Sequence, residues 1–323
     1  MKSIAVKAAF VGLALACAGT SSVFAQAAKP YPQKNVTLVT HSSPGGGSDV
    51  FLRELVKYLG PLMNVNFAVE NVTGGSGAKA VAFVARGKPD GSIFYATTPT
   101  YIQTTLMSKP EVGYTALEPV AILFEDPNVL YTRVESPYKN LKDLIDHARS
   151  NPGKSRWGAS NPASLERITL ERMSRKVGVK AVVVPHEGGG DMMINVLNGT
   201  LDIGMGEVEE VKGQLEAGKI RILAALSDKR LDMLPNVPTA KEQGIDIAVH
   251  KFRGLAAPKG ISPEATASLD AALQKVMADP AFKKSYTESN LIPHFLPHKE
   301  AVAFINQFAA EVTQTLKELG VVK

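Results

Sequence analysis

The turn Ser43-Pro44-Gly45-Gly46-Gly47-Ser48-Asp49 constrains this chain more than any other stretch. An apolar β-branched run, Val36 to Thr40, leads into it, and a helical pattern, Asp49 to Leu59, leads out. Strand, glycine-rich turn and helix N-terminus in that order open an α/β unit. Free backbone N–H groups and the positive end of the helix dipole make such a turn a ready anion site. A single glycine usually suffices for a tight strand-to-helix turn, whereas consecutive glycines let a ligand approach the backbone. Ser43, Gly45, Gly46, Gly47, Ser48 and Asp49 are therefore candidate ligand contacts. Ser48 or Asp49 is expected to cap the helix, with the Asp49 carboxylate turned toward the helix amides and away from the anion.

The same alternation continues along the chain. Strands are expected at 66–70 and 92–97 with a helix at 78–86 between them, which gives βαβαβ and hence a parallel sheet covered by helices. A long strand-like segment runs from Val120 to Phe124 and continues past Pro127 to Thr132. A second alternating block follows, with helices near 140–150, 164–176, 190–198 and 208–217. Its strands are expected at 156–159, 181–185, 201–205 and 221–226. Ser164 is expected to cap the second of these helices, with Ile168, Leu170 and Met173 inward and Glu166 to Arg175 on a solvated face. Phe252 to Pro258 reads as a strand returning to the first block, followed by helices at 263–279, 280–289 and 298–320. The expected class is α/β, with two doubly wound domains, a hinge and an interdomain cleft. Residues 26–125 plus 250–323 form the first domain and 126–249 the second.

The N-terminus has export features. Lys2 and Lys7 precede the apolar run Ala8 to Ala18, and Val23-Phe24-Ala25 fits a small-x-small cleavage signal. Residues 1–25 are therefore expected to be a signal peptide, and the mature protein to be periplasmic from Gln26. Lipidation at Cys17 is an alternative, although Ala14 stands where a larger aliphatic residue is expected. Cys17 is the only cysteine among the 323 residues, so its loss with the signal removes disulfides, thiolate metal sites and a cysteine nucleophile together. Lys2 and Lys7 leave too, which takes the formal charge from +5 to +3. Basic residues are interspersed with acidic ones, without an aromatic-studded basic stripe, so no nucleic-acid partner is expected.

Enzyme motifs do not match. Gly74-Gly75-Ser76-Gly77-Ala78-Lys79 lacks the spacing and the hydroxyl of a phosphate-binding P-loop. Ser76 and Ser160 lack the glycine pattern of a hydrolase elbow, and no dinucleotide-binding spacing follows the first strand. No metal-ligand spacing occurs, and neither a cofactor nor a catalytic residue is expected. His147, His294 and His298 lie among surface-type residues. His41 and His186 directly follow strands, as Glu207 does, and ligands in open α/β sheets bind beyond the carboxyl ends of strands. That rule selects Ser42 to Asp49, the loop Thr97-Thr98-Pro99-Thr100-Tyr101, Ser160 to Ser164, and His186 to Gly190. The candidate contacts thus include His41, Thr97, Thr98, Thr100, Ser160, Ser164, His186 and Glu207. Such loops suit a carboxylate held by neutral donors and helix N-termini.

Motifs along nearly the whole mature chain resemble the periplasmic receptors of tripartite tricarboxylate transporters, the Bug family. They include Tyr31-Pro32-x-Lys34, Pro44 to Asp49, Val69-Glu70-Asn71, Pro89-Asp90-Gly91, and Val184-Pro185-x-x-Gly188-Gly189. Asn198-Gly199-x-Leu201-Asp202, Leu234-Pro235-x-Val237-Pro238-Thr239 and Gly254-Leu255-x-Ala257-Pro258 follow. The resemblance implies a fold like the type II periplasmic binding proteins. It implies capture of a small organic acid by hinge closure and delivery to membrane permease subunits, with the receptor a monomer. Carried over by position, it adds Ala163 to the contacts named above. The chain departs from the family at His41-Ser42-Ser43, where a Pro-aromatic-Pro run is usual, at Glu207, where Asp is common, and at Phe252, where Trp is common. A secreted α/β hydrolase or transferase, or a sensor feeding a two-component kinase, are the alternative readings.

N-terminal sequencing of the protein from a periplasmic extract should begin at Gln26. A mature chain that still carries residues 1–25 would contradict the export reading.

Overall fold

The computed structural model describes residues 31–42, 44, 47–159, 164–186 and 189–322. The signal-peptide and Cys17 readings lie outside them. In chain order the first elements are β1 (Asn35–Thr40), α1 (Gly47–Met63), β2 (Asn66–Asn71), α2 (Ala78–Ala85), β3 (Ile93–Thr97), α3 (Pro99–Ser108) and β4 (Leu117–Glu125). Next come β5 (Asn128–Arg133), α4 (Leu141–Ser150), β6 (Arg156–Ala159), α5 (Leu165–Lys176), β7 (Val182–Pro185), α6 (Gly189–Leu197), β8 (Ile203–Glu207), α7 (Val208–Glu216) and β9 (Ile220–Ala225). The chain ends with β10 (Phe252–Pro258), α8 (Pro263–Ala278), α9 (Pro280–Glu288), β11 (Ile292–Leu296) and α10 (His298–Glu318).

The strands form two sheets. The first has the order β11-β4-β10-β3-β1-β2 and the second β7-β6-β8-β5-β9. β1 runs parallel to β2 and β3, and β6 runs parallel to β7 and β8. β10 and β5 each run antiparallel to their neighbours. Each parallel set alternates with helices that cover its faces, which is the doubly wound α/β class.

The expected strand from Val120 to Thr132 is two strands in different sheets. Asp126-Pro127 carries the chain from β4 to β5, and the chain returns between β9 and β10. The two crossings meet: Asp126 N–H donates to the Lys251 carbonyl at 2.7 Å, and Leu226 N–H donates to the Asn128 carbonyl at 2.9 Å. Because Asn128 pairs with Glu207 and Phe252 with Glu125, both crossings lie at the carboxyl edges of the parallel strands.

Two further differences have clear causes. The stretch expected to be a loop around Thr97 to Tyr101 becomes helical from Pro99 onward. Proline at the first helical position is pre-set for a helix and loses no bonded N–H, and Tyr101 and Ile102 are buried in the core. β11, unforeseen because Pro293 interrupts its apolar run, pairs only as the edge strand beside β4, where proline is tolerated.

Four apolar clusters fill the two faces of each sheet. Under α1 and α9, the fully buried Phe124 ring lies 5.0 Å from Tyr286 and edge-on to Phe51 at 5.9 Å. Ile168, Leu170 and Met173 of α5 face inward as expected, and Ser164 caps that helix through Arg167 N–H at 3.2 Å. Phe124→Ala should cost about 3–5 kcal/mol in chemical unfolding, because the aromatic cluster cannot collapse into the space. A loss below about 1 kcal/mol would show that Phe124 is not a keystone of this core.

Candidate functional site

β10 is a buried strand, yet it carries Arg253 as its second residue. A buried guanidinium must be paired and hydrogen-bonded. Arg253 Nε donates to Asp126 Oδ2 at 2.8 Å, Nη2 donates to the same oxygen, and Nη1 donates to Ser48 Oγ at 3.1 Å. Arg253 Nη2 also lies 4.0 Å from Glu207 Oε1. A Cβ on Gly47 would stand 2.5 Å from Nη2. The group that approaches the backbone at Gly47 is therefore Arg253 itself. Arg253 links the first helix of the first sheet, the crossing at Asp126 and the end of β8.

Beside it, the buried Lys251 ammonium lies 3.1 Å from Glu166 Oε1 and also contacts Glu207 Oε1. Burial alone would raise the Glu207 carboxyl; Lys251 chiefly outweighs it and holds Glu207 well below the usual carboxylate range. Burial likewise opposes the Lys251 charge, but Glu166 and Glu207 together push its pKa up. Glu166 thus leaves the solvated face expected for it: it is 2% exposed and serves this ion cluster. Glu210 is exposed overall, yet its carboxyl folds back against Gly189 and Gly206. Burial of that carboxyl and the neighbouring Glu207 raise its pKa well above the usual range.

His41, which follows β1, joins the same centre. Its Nδ1 lies 2.8 Å from the Tyr95 hydroxyl, and Gly77 packs against its ring. Burial, reinforced by Lys251 and Arg253, pushes the imidazole down to about 4. His41 is therefore neutral near pH 7 and shares a hydrogen bond with the Tyr95 hydroxyl. Gly77 ends a short turn, Gly75–Gly77, whose positive φ angles lead into α2.

The remaining candidates divide sharply. Thr97 and Thr98 are buried, and both hydroxyls lack a hydrogen-bond partner. Thr98 occupies the N-cap position of α3 without capping it. Thr100 lies in the first turn of α3 and is half-buried. α1 starts at Gly47, so Ser48 and Asp49 sit inside its first turn and neither is the cap. Ser48 instead accepts from Arg253. Asp49 faces Arg53, whose Nε is 3.0 Å from both carboxylate oxygens, and Asn71 Nδ2 at 2.9 Å. The Ser164 hydroxyl is committed to capping α5, and His186 Nδ1 lies 3.0 Å from the Val184 carbonyl, a contact within its own loop. Ser43, Gly45, Gly46, Ser160 and Ala163 lie outside the described residues.

The histidines read as surface groups are half-buried and engaged. His147 packs on the Tyr138 ring, His294 lies 3.7 Å from Glu125 Oε1, and His298 Nδ1 lies 2.9 Å from the Pro119 carbonyl. Sequence reasoning missed Asp126, Glu166, Lys251 and Arg253. The available signal was two cations, Lys251 and Arg253, flanking Phe252 at the start of an otherwise apolar strand. Gly47, Asp126, Glu207, Glu210 and Arg253 share the lining of a cavity of about 390 Å³. Among the described residues no His, Cys, Asp and Glu group is arranged to hold a metal ion, and no helix is long and apolar enough to cross a membrane.

Two α/β halves joined by paired crossings, with strand carboxyl ends gathered around them, define the fold of a periplasmic binding protein. The sequence profile described as "Tripartite tricarboxylate transporter family receptor" matches residues 53–321, and the chain belongs to that family. It is 26% identical over 318 residues to the UPF0065 protein in the gbd 5′ region of Cupriavidus necator, covering 97% of this chain and 96% of the relative. Protein BugT of Bordetella pertussis is 23% identical over 317 residues, 97% of each chain. Among solved structures, R. palustris Rpa4515 with adipate superposes with a TM-score of 0.82 at 26% identity, covering 90% of this chain and 98% of that one. The periplasmic binding protein BugD superposes at 0.79 with 25% identity, covering 91% and 100%.

The His41 shift has a testable sign. Its folded pKa lies below the unfolded value of about 6.5, so its contribution is complete above that pH and is lost as pH falls toward 4. Stability should drop by up to about 3 kcal/mol across this window. In His41→Gln that part of the pH dependence should disappear from urea-unfolding curves; an unchanged profile would show that His41 does not titrate as the structure requires.

Proposed function

We propose that this chain is an extracytoplasmic receptor that captures a small organic acid between its two α/β halves and delivers it to the permease subunits of a tripartite transporter. The observation that carries the reading is the pair of orphaned hydroxyls, Thr97 and Thr98, at an uncapped helix N-terminus. A buried hydroxyl without a partner is costly, and a ligand oxygen relieves that cost. An anion there gains the α3 dipole as well, and α1 begins beside Arg253 and Ser48 at the neighbouring strand end. The bound adipate of the Rpa4515 structure supports a carboxylate as the ligand class.

In this reading residues 31–125 with 250–323 form one lobe and 126–249 the other. The crossings at Asp126-Pro127 and Val249-His250-Lys251 act as the hinge. The contacts are Ser43, Gly45, Gly46, Thr97, Thr98, Thr100, Ser160 and Ala163, with His41 supplying a neutral acceptor or donor beside them. Gly47, Ser48 and Glu207 shape the site through Arg253 and Lys251. The protein works as a periplasmic monomer that releases its ligand unchanged.

A thermal-shift screen of organic acids tests this. A ligand at about 100 times its Kd adds roughly 2.7 kcal/mol to stability, which is a clear rise in Tm. Thr98→Val should weaken that response while leaving the unliganded Tm nearly unchanged. A response to sugars with none to any carboxylate would overturn the reading.

A further inference from the structure

We propose that the protein has a second ligand site, between α3, α5 and α10, which takes an amide-bearing carboxylate: a primary carboxamide at the buried end, an apolar body, and a carboxylate at the mouth.

A cavity of about 400 Å³ lies there, within the size range of small-molecule sites. Its walls come from α3, α5, β11, α10 and the returning crossing at residues 248–250, and none of the described contacts of the cleft proposed above lines it. α5 and α10 are tied to each other beside it, since the Arg175 guanidinium donates to the Glu318 and Leu319 carbonyls at 2.8 and 2.7 Å. Arg172 and Thr315, one turn earlier on each helix, both line the cavity.

Gln103 shares that lining and is fully buried, yet neither polar atom of its side-chain amide has a hydrogen-bond partner among the described residues. A buried amide left unpaired is costly, and an apolar side chain of the same length would avoid the cost. Its Nε2 donates and its Oε1 accepts, so a primary carboxamide, which offers one acceptor and two donors, satisfies both atoms in a two-bond pair. A second ligand carboxylate would leave Oε1 facing another acceptor.

The rest of the lining sets the remainder of the ligand. Ile168 and Phe308 are buried and, with Phe304, give the cavity apolar walls. Arg172 is exposed and makes no hydrogen bond or ion pair among the described residues. The acids of the lining are engaged. Glu125 lies 3.4 Å from His250, whose pKa that contact pushes up, and 3.7 Å from His294, while Glu311 accepts from Gln307 at 2.9 Å. The charge left for a ligand to match is therefore the guanidinium of Arg172, which suits a carboxylate.

Isothermal titration of the mature protein with isosteric pairs decides it. The pairs are 4-carbamoylbenzoate with 4-acetylbenzoate, and 6-amino-6-oxohexanoate with 6-oxoheptanoate; each ketone keeps the acceptor and loses the donor. The amide of at least one pair should bind about tenfold or more tighter than its ketone, because a site built to bond an N–H rejects the analogue that lacks it. Gln103→Leu should abolish that preference while leaving the unliganded Tm unchanged or higher. Arg172→Gln, an exposed substitution that keeps the fold, should weaken the amide about tenfold. Thr98→Val should leave it unchanged, which separates this site from the cleft. The proposal is overturned if neither amide binds, if neither is preferred to its ketone, or if the preference survives Gln103→Leu or is lost in Thr98→Val.

Discussion

The buried pair Arg253–Asp126 is the interaction on which the rest of this structure depends. Asp126 sits in the outgoing crossing between the sheets, and Arg253 follows the returning one by two residues. Their bond, with the backbone hydrogen bond from Asp126 to Lys251, holds the two crossings side by side. Removing one member would strand a charge where water cannot reach it, a loss typically of about 3–5 kcal/mol. The same guanidinium then reaches Ser48 and packs against Gly47. The start of α1 is therefore positioned by a residue more than two hundred positions away in the chain.

From that centre the electrostatics spread outward. Lys251 and Arg253 are close enough to His41 to help keep it neutral, which suits its bond to Tyr95. Glu166 and Glu207 hold Lys251 from the second sheet. If the two sheets move against each other as proposed, the contacts at the crossings must be specific and yet able to reorganise. A cluster of ionic side chains at the crossings supplies specificity, while the apolar cores on either side stay intact.

Much of the fold was legible because α/β alternation is local. Ser164 as a cap, the inward face of α5 and the return of Phe252–Pro258 to the first sheet all follow from short-range pattern. The misreadings have equally physical origins. Pro99 looks like a turn residue until Tyr101 and Ile102 find a core to enter. Glu166 looks solvated from its helix spacing because a buried acid cannot be recognised without its cation, and Lys251 lies 85 positions further on. The candidate site was half legible. Of the residues picked by strand-end position, His41 and Glu207 lie at the charged centre and Thr97 and Thr98 at the uncapped start of α3, whereas Ser164 caps α5 and His186 bonds within its own loop.

The sequence by itself determined the α/β class, the order of elements, the family and the gathering of small, hydroxyl-bearing residues at strand ends. These depend on periodicity, turn chemistry and motifs, which neighbouring residues settle among themselves. Only the tertiary structure decided which charges meet. Arg253 with Asp126, Lys251 with Glu166 and Glu207, and the hydroxyls of Thr97 and Thr98 left without partners are outcomes of packing. Pairing between buried charges depends on distance through a low-dielectric interior, and separation along the chain carries no information about that distance.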